Sequence, residues 1–244
     1  MSTVARTPAA GRSRTSRGRV AWIRRALCMR VKGKTMELVL AADPMCSWCY
    51  GFGKQMGLLL ERRPVSLKII LGGLRAGATD VLDDAGKQFR LHHWGKVEEA
   101  SGVPFNREGL LARKGFVYDT EPVCRAVVTA RILKPEADLL SVFRAFQHAF
   151  YVDALDTTDG SVLAVIGSRA LTELGHPVSS EEFLAEWNKR STIEEAATDF
   201  ATVRAMGVSS FPTLFLKNGE TLRKVGAGYA HVDELEKHLA AMAA

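Results

Sequence analysis

Two cysteines, Cys46 and Cys49, stand between a predicted strand and a predicted helix, and this leaves few folds open to the chain. Residues 37–42 form a short apolar run, typical of a strand that is buried on both faces. The cysteines follow at the beginning of a helical pattern, and residues 65–71 then alternate as a second strand does. Residues 37–71 are therefore predicted to form a strand-helix-strand unit, which requires parallel strands and a right-handed crossover.

The position of the two thiols at a helix start gives them unequal chemistry. The first turn of a helix has unpaired N–H groups and carries a positive partial charge, which stabilises a thiolate at Cys46. Cys49 lies one turn further into the helix and gains less from this charge. The spacing also allows the two sulfurs to form a disulfide. We therefore expect Cys46 to attack a substrate and Cys49 to resolve the mixed disulfide that results.

A zinc half-site and a pair of inert core thiols are the other roles open to these cysteines. A structural zinc site needs four ligands, and the remaining candidates, Cys124 and the His92-His93 pair, lack the paired spacing of such a site. A strand followed by Cys-x-x-Cys and a helix within a β-α-β unit is the context typical of redox proteins. The sequence thus favours dithiol chemistry with no metal and no bound cofactor.

The rest of the chain divides into a long helical block and a second mixed segment. From residue 72 to about residue 190, apolar residues recur with helical spacing. A helix that opens with Thr192 and Glu195 as a capping box is then predicted to end at Gly207. The elements after it are a strand at 213–217, a hairpin turn at Asn218-Gly219, a return strand at 221–225 and a helix from about 232 to 242.

Pro212 stands at the head of the first strand in this second segment. The order of helix, loop, proline, strand, hairpin and final helix resembles the second half of a thioredoxin-like fold, and this resemblance implies a cis proline that faces the active-site sulfurs. A cis proline exposes the backbone of the residue before it, here Phe211. We therefore expect Phe211 and Pro212 to bind an extended substrate chain by strand addition.

Four segments resemble the DsbA-like family of thiol-disulfide oxidoreductases, and its cytoplasmic FrnE-type branch in particular. They are DPMCSWCYGF at 43–52, TEPVCRA at 120–126, FPT at 211–213 and GAGY at 226–229. The resemblance spans about residues 37–242. It implies an α/β, thioredoxin-like fold with a large all-helical insertion between a β-α-β half and an α-β-β-α half. It also implies that Cys46 is the nucleophile, Cys49 the resolving cysteine and Pro212 the cis-proline.

The predicted domain boundaries follow from this fold and from the distribution of charge. Residues 37–72 and 191–244 are expected to form the thioredoxin-like domain, with 73–190 as the helical insertion. Residues 1–36 contain ten Lys/Arg and no Asp/Glu, whereas the rest contains 23 basic and 27 acidic residues, a net charge of −4. The net charge of +6 therefore belongs to a basic leader, which disfavours a body that binds nucleic acid.

The leader itself is predicted to be disordered, because it is Arg-rich and has no periodic apolar face. Three origins remain open: a start assigned upstream of Met36, an organelle transit peptide, or a functional basic arm. Its broken apolar runs do not make a secretory signal, and no window of about 18 apolar residues spans a membrane. Together with the resemblance, this predicts a cytoplasmic protein with no membrane partner.

Three further residues near the motifs are of interest. Thr120 precedes a helix with Pro122 in its first turn, so it is either a helix cap alone or a cap that also forms a wall of the substrate site. Trp48 lies between the two cysteines and offers an apolar surface for substrate. Cys124 is expected to be a buried spectator thiol.

The sequence thus predicts an enzyme, a thiol-disulfide oxidoreductase whose partners are protein or small-molecule thiols and disulfides, glutathione among them. One alternative is a glutathione-dependent isomerase or transferase, similar to hydroxychromene-carboxylate isomerases and kappa-class glutathione transferases. Those relatives typically carry Ser at the position of Cys46 and lack the second cysteine. Another alternative is a binding or chaperone module that uses an apolar cleft without turnover. The presence of both Cys46 and Cys49 favours the oxidoreductase.

Overall fold

A computed structural model describes residues 36–243 of the chain, so the predicted leader lies outside the described residues except for Met36. Within this range the chain forms one sheet of four strands in the order β2-β1-β3-β4. The strands are β1 (Glu37–Ala42), β2 (Ser66–Leu71), β3 (Thr213–Asn218) and β4 (Thr221–Ala227).

The predicted strand-helix-strand unit is confirmed. β1 pairs in parallel with β2, from Glu37 opposite Ser66 to Ala42 opposite Leu71, and helix α1 (Ser47–Arg62) makes the crossover between them. On its other side β1 pairs antiparallel with β3. β1 is therefore an interior strand of the sheet, which explains why its sequence is apolar on both faces.

The hairpin between β3 and β4 turns one residue later than predicted. Asn218 still pairs with Thr221, so the two-residue turn consists of Gly219 and Glu220, and the prediction of Asn218-Gly219 is wrong. Gly219 has a φ of 63°. The turn therefore places glycine at its first position, where a left-handed backbone costs a glycine little.

The segment between β2 and α8 is helical, as the resemblance implied. Helix α8 (Arg190–Ala205) begins earlier than the predicted capping box, because Lys189 is its N-cap residue. The Thr192 hydroxyl instead donates to Glu186 Oε1 at 2.9 Å, which satisfies a buried carboxylate of the preceding helix. The helices before α8 are α2 (Asp84–Ser101), α3 (Arg107–Ala112), α4 (Glu121–Leu133), α5 (Leu139–Tyr151), α6 (Gly160–Glu173) and α7 (Ser180–Trp187).

Helices cover both faces of the sheet. On one face, side chains of β1 pack with α1 and with α9 (Val232–Ala243), and the buried residues there include Leu38, Leu40, Met56, Leu59, Leu235 and Leu239. On the other face, α8 contributes Val203 to a smaller cluster with Val39, Ala41, Ile70 and Phe215. Alternate side chains of β1 thus pack against the helices on opposite faces of the sheet. The cysteine pair follows a few residues after the end of β1.

The helical insertion packs onto the sheet half and does not form a separate unit. Its buried aromatic side chains lie in the main core with residues of α1 and β1, and they include Trp94, Phe105, Tyr118, Phe150 and Tyr151. Helix α2 contacts α1, and α4 contacts α8. The insertion can therefore supply walls to a site at the start of α1. None of the described helices combines the length and apolar character needed to cross a bilayer.

Candidate active site

Cys46 is the N-cap residue of α1, and its carbonyl oxygen accepts a hydrogen bond from the Tyr50 N–H at 3.0 Å. Its thiol donates to the carbonyl oxygen of Phe211, 3.6 Å from Sγ and 165 residues away in the sequence. The Phe211-Pro212 peptide bond is cis, as predicted. The first turn of α1 has no acidic side chain, so its positive partial charge remains available to a thiolate at Cys46.

Cys49 lies behind Cys46, one turn further into α1. Both cysteines are free thiols, and their exposed fractions are 7% for Cys46 and 3% for Cys49. Burial raises the pKa of Cys49 well above its ordinary value of 9.0, and a hydrogen bond with Cys46 raises it further. Cys49 is therefore held in its protonated form in the dithiol state.

A pocket of about 560 Å³ opens beside Cys46. Cys46 belongs to its lining and Cys49 does not, so the pocket distinguishes the two thiols more clearly than their exposure does. Its walls come from five places: the start of α1, the loop after β2, helix α2, the segment before α4, and the loop before β3. Trp48, Phe89 and Phe211 give the lining an apolar character. The guanidinium groups of Arg75 and Arg90 also belong to the lining.

Asp43 is a fully buried carboxyl group at the end of β1. Its Oδ1 accepts from the Met45 N–H at 2.8 Å, and its Oδ2 accepts from the Leu74 N–H at 2.7 Å. The Cys124 thiol lies 3.5 Å from the same Oδ2. Burial raises the pKa of Asp43 above 3.8, and these hydrogen bonds lower it in part. Asp43 thus ties the segment before Cys46 to the loop that forms the opposite wall.

The residues just before α4 accept hydrogen bonds that fix the loop after β2, which forms this wall of the pocket. The Thr120 hydroxyl accepts from the Arg75 N–H at 3.1 Å, and Asp119 Oδ1 accepts from the Gly77 N–H at 2.9 Å. The hydroxyl of Tyr118 donates to the Met45 carbonyl at 2.6 Å. Residues of the insertion therefore fix the backbone on both sides of the pocket mouth.

No family model matches this sequence. The structure is similar to that of a candidate protein disulfide isomerase from Nitrosomonas europaea, with 30% sequence identity and a TM-score of 0.75. The match covers 86% of this chain and 98% of that one. The chain belongs to the DsbA-like family of thiol-disulfide oxidoreductases. As a DsbA-like protein with a Cys-x-x-Cys pair at a helix start, it is a thiol-disulfide oxidoreductase.

Two more distant structures share the fold of this DsbA-like protein. The cytosolic disulfide reductase DsbM from Pseudomonas aeruginosa is 22% identical with a TM-score of 0.68, over 85% of this chain and 98% of that one. A 2-hydroxychromene-2-carboxylate isomerase is 12% identical with a TM-score of 0.56, over 85% of this chain and 94% of that one. At these identities the similarity establishes the fold alone.

The DsbA-like fold brings most of the predicted site residues together. Cys46, Trp48 and Phe211 all line the pocket, with Pro212 directly after Phe211 and Cys49 behind Cys46. These positions agree with the expected roles, which remain predictions. Among residues 36–243, no three His, Cys, Asp or Glu side chains come together as metal ligands.

Thr120 is the exception among the predicted site residues. Its side chain is 0% exposed and is not part of the pocket lining, so Thr120 lies behind the pocket and its contact with a substrate stays a prediction. It also makes no side-chain cap for α4, because Asp119 Oδ1 accepts from the Glu121 N–H at 2.9 Å instead. The Thr120 hydroxyl accepts a hydrogen bond from the Arg75 N–H, so Thr120 stabilises the loop after β2 that lines the pocket.

Sequence reasoning missed Asp43, Arg90 and Tyr118 as parts of this DsbA-like site. Asp43 had a local signal, since it is a carboxylate that ends an apolar strand just before the cysteine pair. Arg90 and Tyr118 had none, because each comes from the insertion and reaches the site only through helix packing.

Proposed function

We propose that this protein exchanges disulfides through a mixed disulfide at Cys46. The Cys46 thiolate attacks one sulfur of a substrate RS–SR, forms Cys46–S–S–R and releases RS⁻. The Cys49 thiolate then attacks the Cys46 sulfur, which releases the second RS⁻ and leaves the Cys46–Cys49 disulfide. Two electrons pass from the dithiol to the substrate, and the two protons pass to the released thiolates. The same steps in reverse oxidise a substrate dithiol.

This proposal rests on the placement of Cys46 between the N-terminus of α1 and the Phe211 carbonyl, at the pocket mouth. Cys49 is outside the lining, so a substrate sulfur in the pocket meets Cys46 first. Trp48 and Phe211 supply apolar contact area beside the attacking thiol. Pro212 has no N–H, and an extended substrate chain would lie along the backbone before it.

We further propose low-molecular-weight thiols, glutathione among them, as partners, and the cytoplasm as the compartment. The volume of the pocket falls within the about 300–1,000 Å³ of small-molecule sites. DsbM, which shares the fold, is described as a cytosolic disulfide reductase, and one of its structures contains GSH. Two thiols RSH would return the Cys46–Cys49 disulfide to the dithiol and leave as RS–SR, which completes the cycle.

The test uses the variants Cys46→Ser and Cys49→Ala with insulin as the disulfide substrate and glutathione as the reductant. Cys46→Ser should abolish turnover. When no glutathione is added, Cys49→Ala should accumulate mixed disulfides at Cys46, measured by intact-protein mass spectrometry under acid quench. Cys124→Ala is the control, since it leaves both reacting thiols in place. Equal trapping of mixed disulfides by the Cys46→Ser and Cys49→Ala variants would overturn the assignment of roles.

The same variants separate this function from a glutathione-dependent isomerase or transferase. Such an enzyme needs no second thiol, so its turnover would survive in Cys49→Ala. In a disulfide oxidoreductase with these roles, Cys49→Ala still forms the first mixed disulfide but stops there until a free thiol cleaves it.

A further inference from the structure

The pocket beside Cys46 has an uneven distribution of charge. Its lining includes two arginines, Arg75 and Arg90, and no Asp or Glu side chain of the described residues contributes to it. His93 also lines the pocket, but burial lowers its pKa below 6.5, so its ring is neutral at neutral pH. A pocket with positive groups and no acidic group attracts anionic ligands. What matters is which of these groups is already neutralised by the protein.

Arg75 is neutralised within the protein. Its Nη2 donates to both carboxylate oxygens of Asp80, at 2.7 Å and 2.8 Å, and its Nε donates to the Tyr118 carbonyl at 3.3 Å. A guanidinium that already holds a carboxylate in two hydrogen bonds offers little to a second anion.

Arg90 differs from Arg75 in having no acidic partner. Within residues 36–243, no carboxylate lies within salt-bridge distance of its guanidinium. Its Nη1 donates to the Gly86 carbonyl at 3.0 Å, and its Cζ lies 4.2 Å from the centre of the Tyr118 ring. A guanidinium carries five N–H donors, so these contacts leave donors for a ligand. Burial lowers the pKa of Arg90, as expected for a cation whose hydration is only partly replaced.

The surroundings of Arg90 connect it to the reacting thiol. The Tyr118 ring beneath the guanidinium is anchored through its hydroxyl to the carbonyl of Met45, the residue before Cys46. Phe89, the neighbour of Arg90 on α2, is 63% exposed and also lines the pocket. An anionic group and an apolar segment of one small ligand would both find contacts here while its sulfur lies at Cys46.

We infer that Arg90 is an anion-binding residue of the disulfide pocket, and that it makes the enzyme prefer low-molecular-weight disulfides that carry a carboxylate. The inference rests on the proposed function, because it concerns what reacts with Cys46. Arg90 would pair with the carboxylate through two parallel N–H···O hydrogen bonds, the geometry in which guanidinium groups bind carboxylates best. It acts as a specificity-determining residue, and the exchange itself proceeds at Cys46 and Cys49.

The experiment measures how fast the reduced full-length protein is oxidised by two disulfides in excess, oxidised glutathione and bis(2-hydroxyethyl) disulfide. The first carries carboxylates and the second carries none. Arg90→Gln should lower the ratio of the rate constant for oxidised glutathione to that for bis(2-hydroxyethyl) disulfide about tenfold. This is the size expected for the loss of a charge-assisted pair. Arg90→Lys should lose less, because it keeps the charge without the planar fork. Arg169→Gln on α6, outside the pocket lining, is the matched control and should leave the ratio unchanged.

The outcomes separate the inference from the proposed function. If the wild-type protein is oxidised by neither disulfide, the proposed function fails and the inference fails with it. If both disulfides react and the ratio is the same in wild type, Arg90→Gln and Arg90→Lys, only the role of Arg90 is overturned. If His93→Gln lowers this ratio and Arg90→Gln does not, the role of Arg90 is overturned as well. Thermal melting of each variant shows that folded proteins are compared, and Arg90→Lys carries the test if Arg90→Gln does not fold.

Discussion

The Cys124 thiol lies 3.5 Å from Oδ2 of Asp43, although 81 residues separate the two side chains and both are fully buried. The contact joins the end of the interior strand β1 to helix α4 of the insertion. The same Asp43 carboxyl group accepts hydrogen bonds from the Met45 and Leu74 N–H groups. One buried carboxyl group therefore supports the segment before Cys46 and the opposite wall of the pocket.

Asp43→Asn should destabilise the protein by about 1–3 kcal/mol, the usual cost of an unsatisfied buried polar group. An amide has a single acceptor oxygen, so it cannot accept from the Met45 and Leu74 N–H groups on both of its sides. Urea unfolding of the two proteins measures the difference. Asp84→Asn is the control, because the Asp84 side chain is exposed and its change should cost less than about 0.5 kcal/mol.

The stability that Asp43 provides should also depend on pH. Burial raises the pKa of Asp43 in the folded chain above its ordinary 3.8, so the folded state binds more protons at this site than the unfolded state does. Its contribution is therefore fully present below pH 3.8 and is lost as the pH rises through the folded pKa. The difference in unfolding free energy between wild type and Asp43→Asn should shrink over this range. A difference that grows with pH would contradict the burial argument.

Cys124 should resist alkylation in the folded protein. Burial raises the pKa of its thiol well above 9.0, and the charge of Asp43 raises it further. Because alkylation requires access to the sulfur as well as the thiolate, iodoacetamide should label Cys46, which lines the pocket, and leave Cys124 unmodified until urea unfolds the chain. Peptide mapping by mass spectrometry follows each site separately. Labelling of Cys124 at the rate of Cys46 would show that the site opens in the native state.

Resolution by Cys49 should accelerate steeply with pH. Burial, and not the neighbouring Cys46 thiol, is the main cause of its raised pKa, so we expect this pKa to stay raised when Cys46 carries a mixed disulfide. Below that pKa the thiolate fraction rises about tenfold per pH unit, and the rate of resolution should rise with it. An aromatic disulfide that releases a coloured thiol at each step reports attack by Cys46 first and resolution second. Cys49→Ala should show the first release alone, whereas a second phase independent of pH would disagree with a protonated Cys49.

Gly72→Ala should disturb the substrate side of Cys46. A Cβ atom at Gly72 would lie 2.1 Å from Cζ of Phe211, so the Phe211 ring must move. Overpacking of this kind costs about 1–3 kcal/mol, and displacement of Phe211 should also lower the rate of disulfide exchange. Gly95→Ala is the control, since its Cβ meets nothing within 4 Å and a helical alanine is favoured by about 0.5–1 kcal/mol. If Gly72→Ala and Gly95→Ala exchange disulfides at the same rate, the position of the Phe211 ring does not affect catalysis.

The sequence alone determined the order of the elements and the position of the redox pair. The apolar run of β1, the helix that starts at the cysteines and the strand at 66–71 are all patterns within a few residues of one another. Periodicity and helix-end signals act over such short distances, so they can be recognised without a structure. The order of helix, proline, hairpin and final helix near the end of the chain also follows from patterns within a few neighbouring residues.

Local signals were less reliable where two partners compete for one side chain. Thr192 was predicted to cap its own helix, yet its hydroxyl serves the buried Glu186. Thr120 was predicted to cap its helix, with or without a contact to substrate, yet it makes no side-chain cap and its buried hydroxyl accepts from the Arg75 N–H. In both cases a polar group of another segment is the hydrogen-bond partner of the hydroxyl, and this contact takes the place of a cap at a helix start.

Only the tertiary structure decided which side chains of the insertion surround Cys46. Phe211, 165 residues from the thiol, was expected there from the order of elements, whereas Arg90 and Tyr118 reach the pocket from the insertion without any signal in the sequence. These contacts depend on how α2 and α4 pack against the sheet half. Packing is a sum of many contacts distributed along the chain, so no short stretch of sequence predicts it. The sequence therefore determined that this protein carries a reactive dithiol, and the packing of the insertion determined what the pocket beside it can bind.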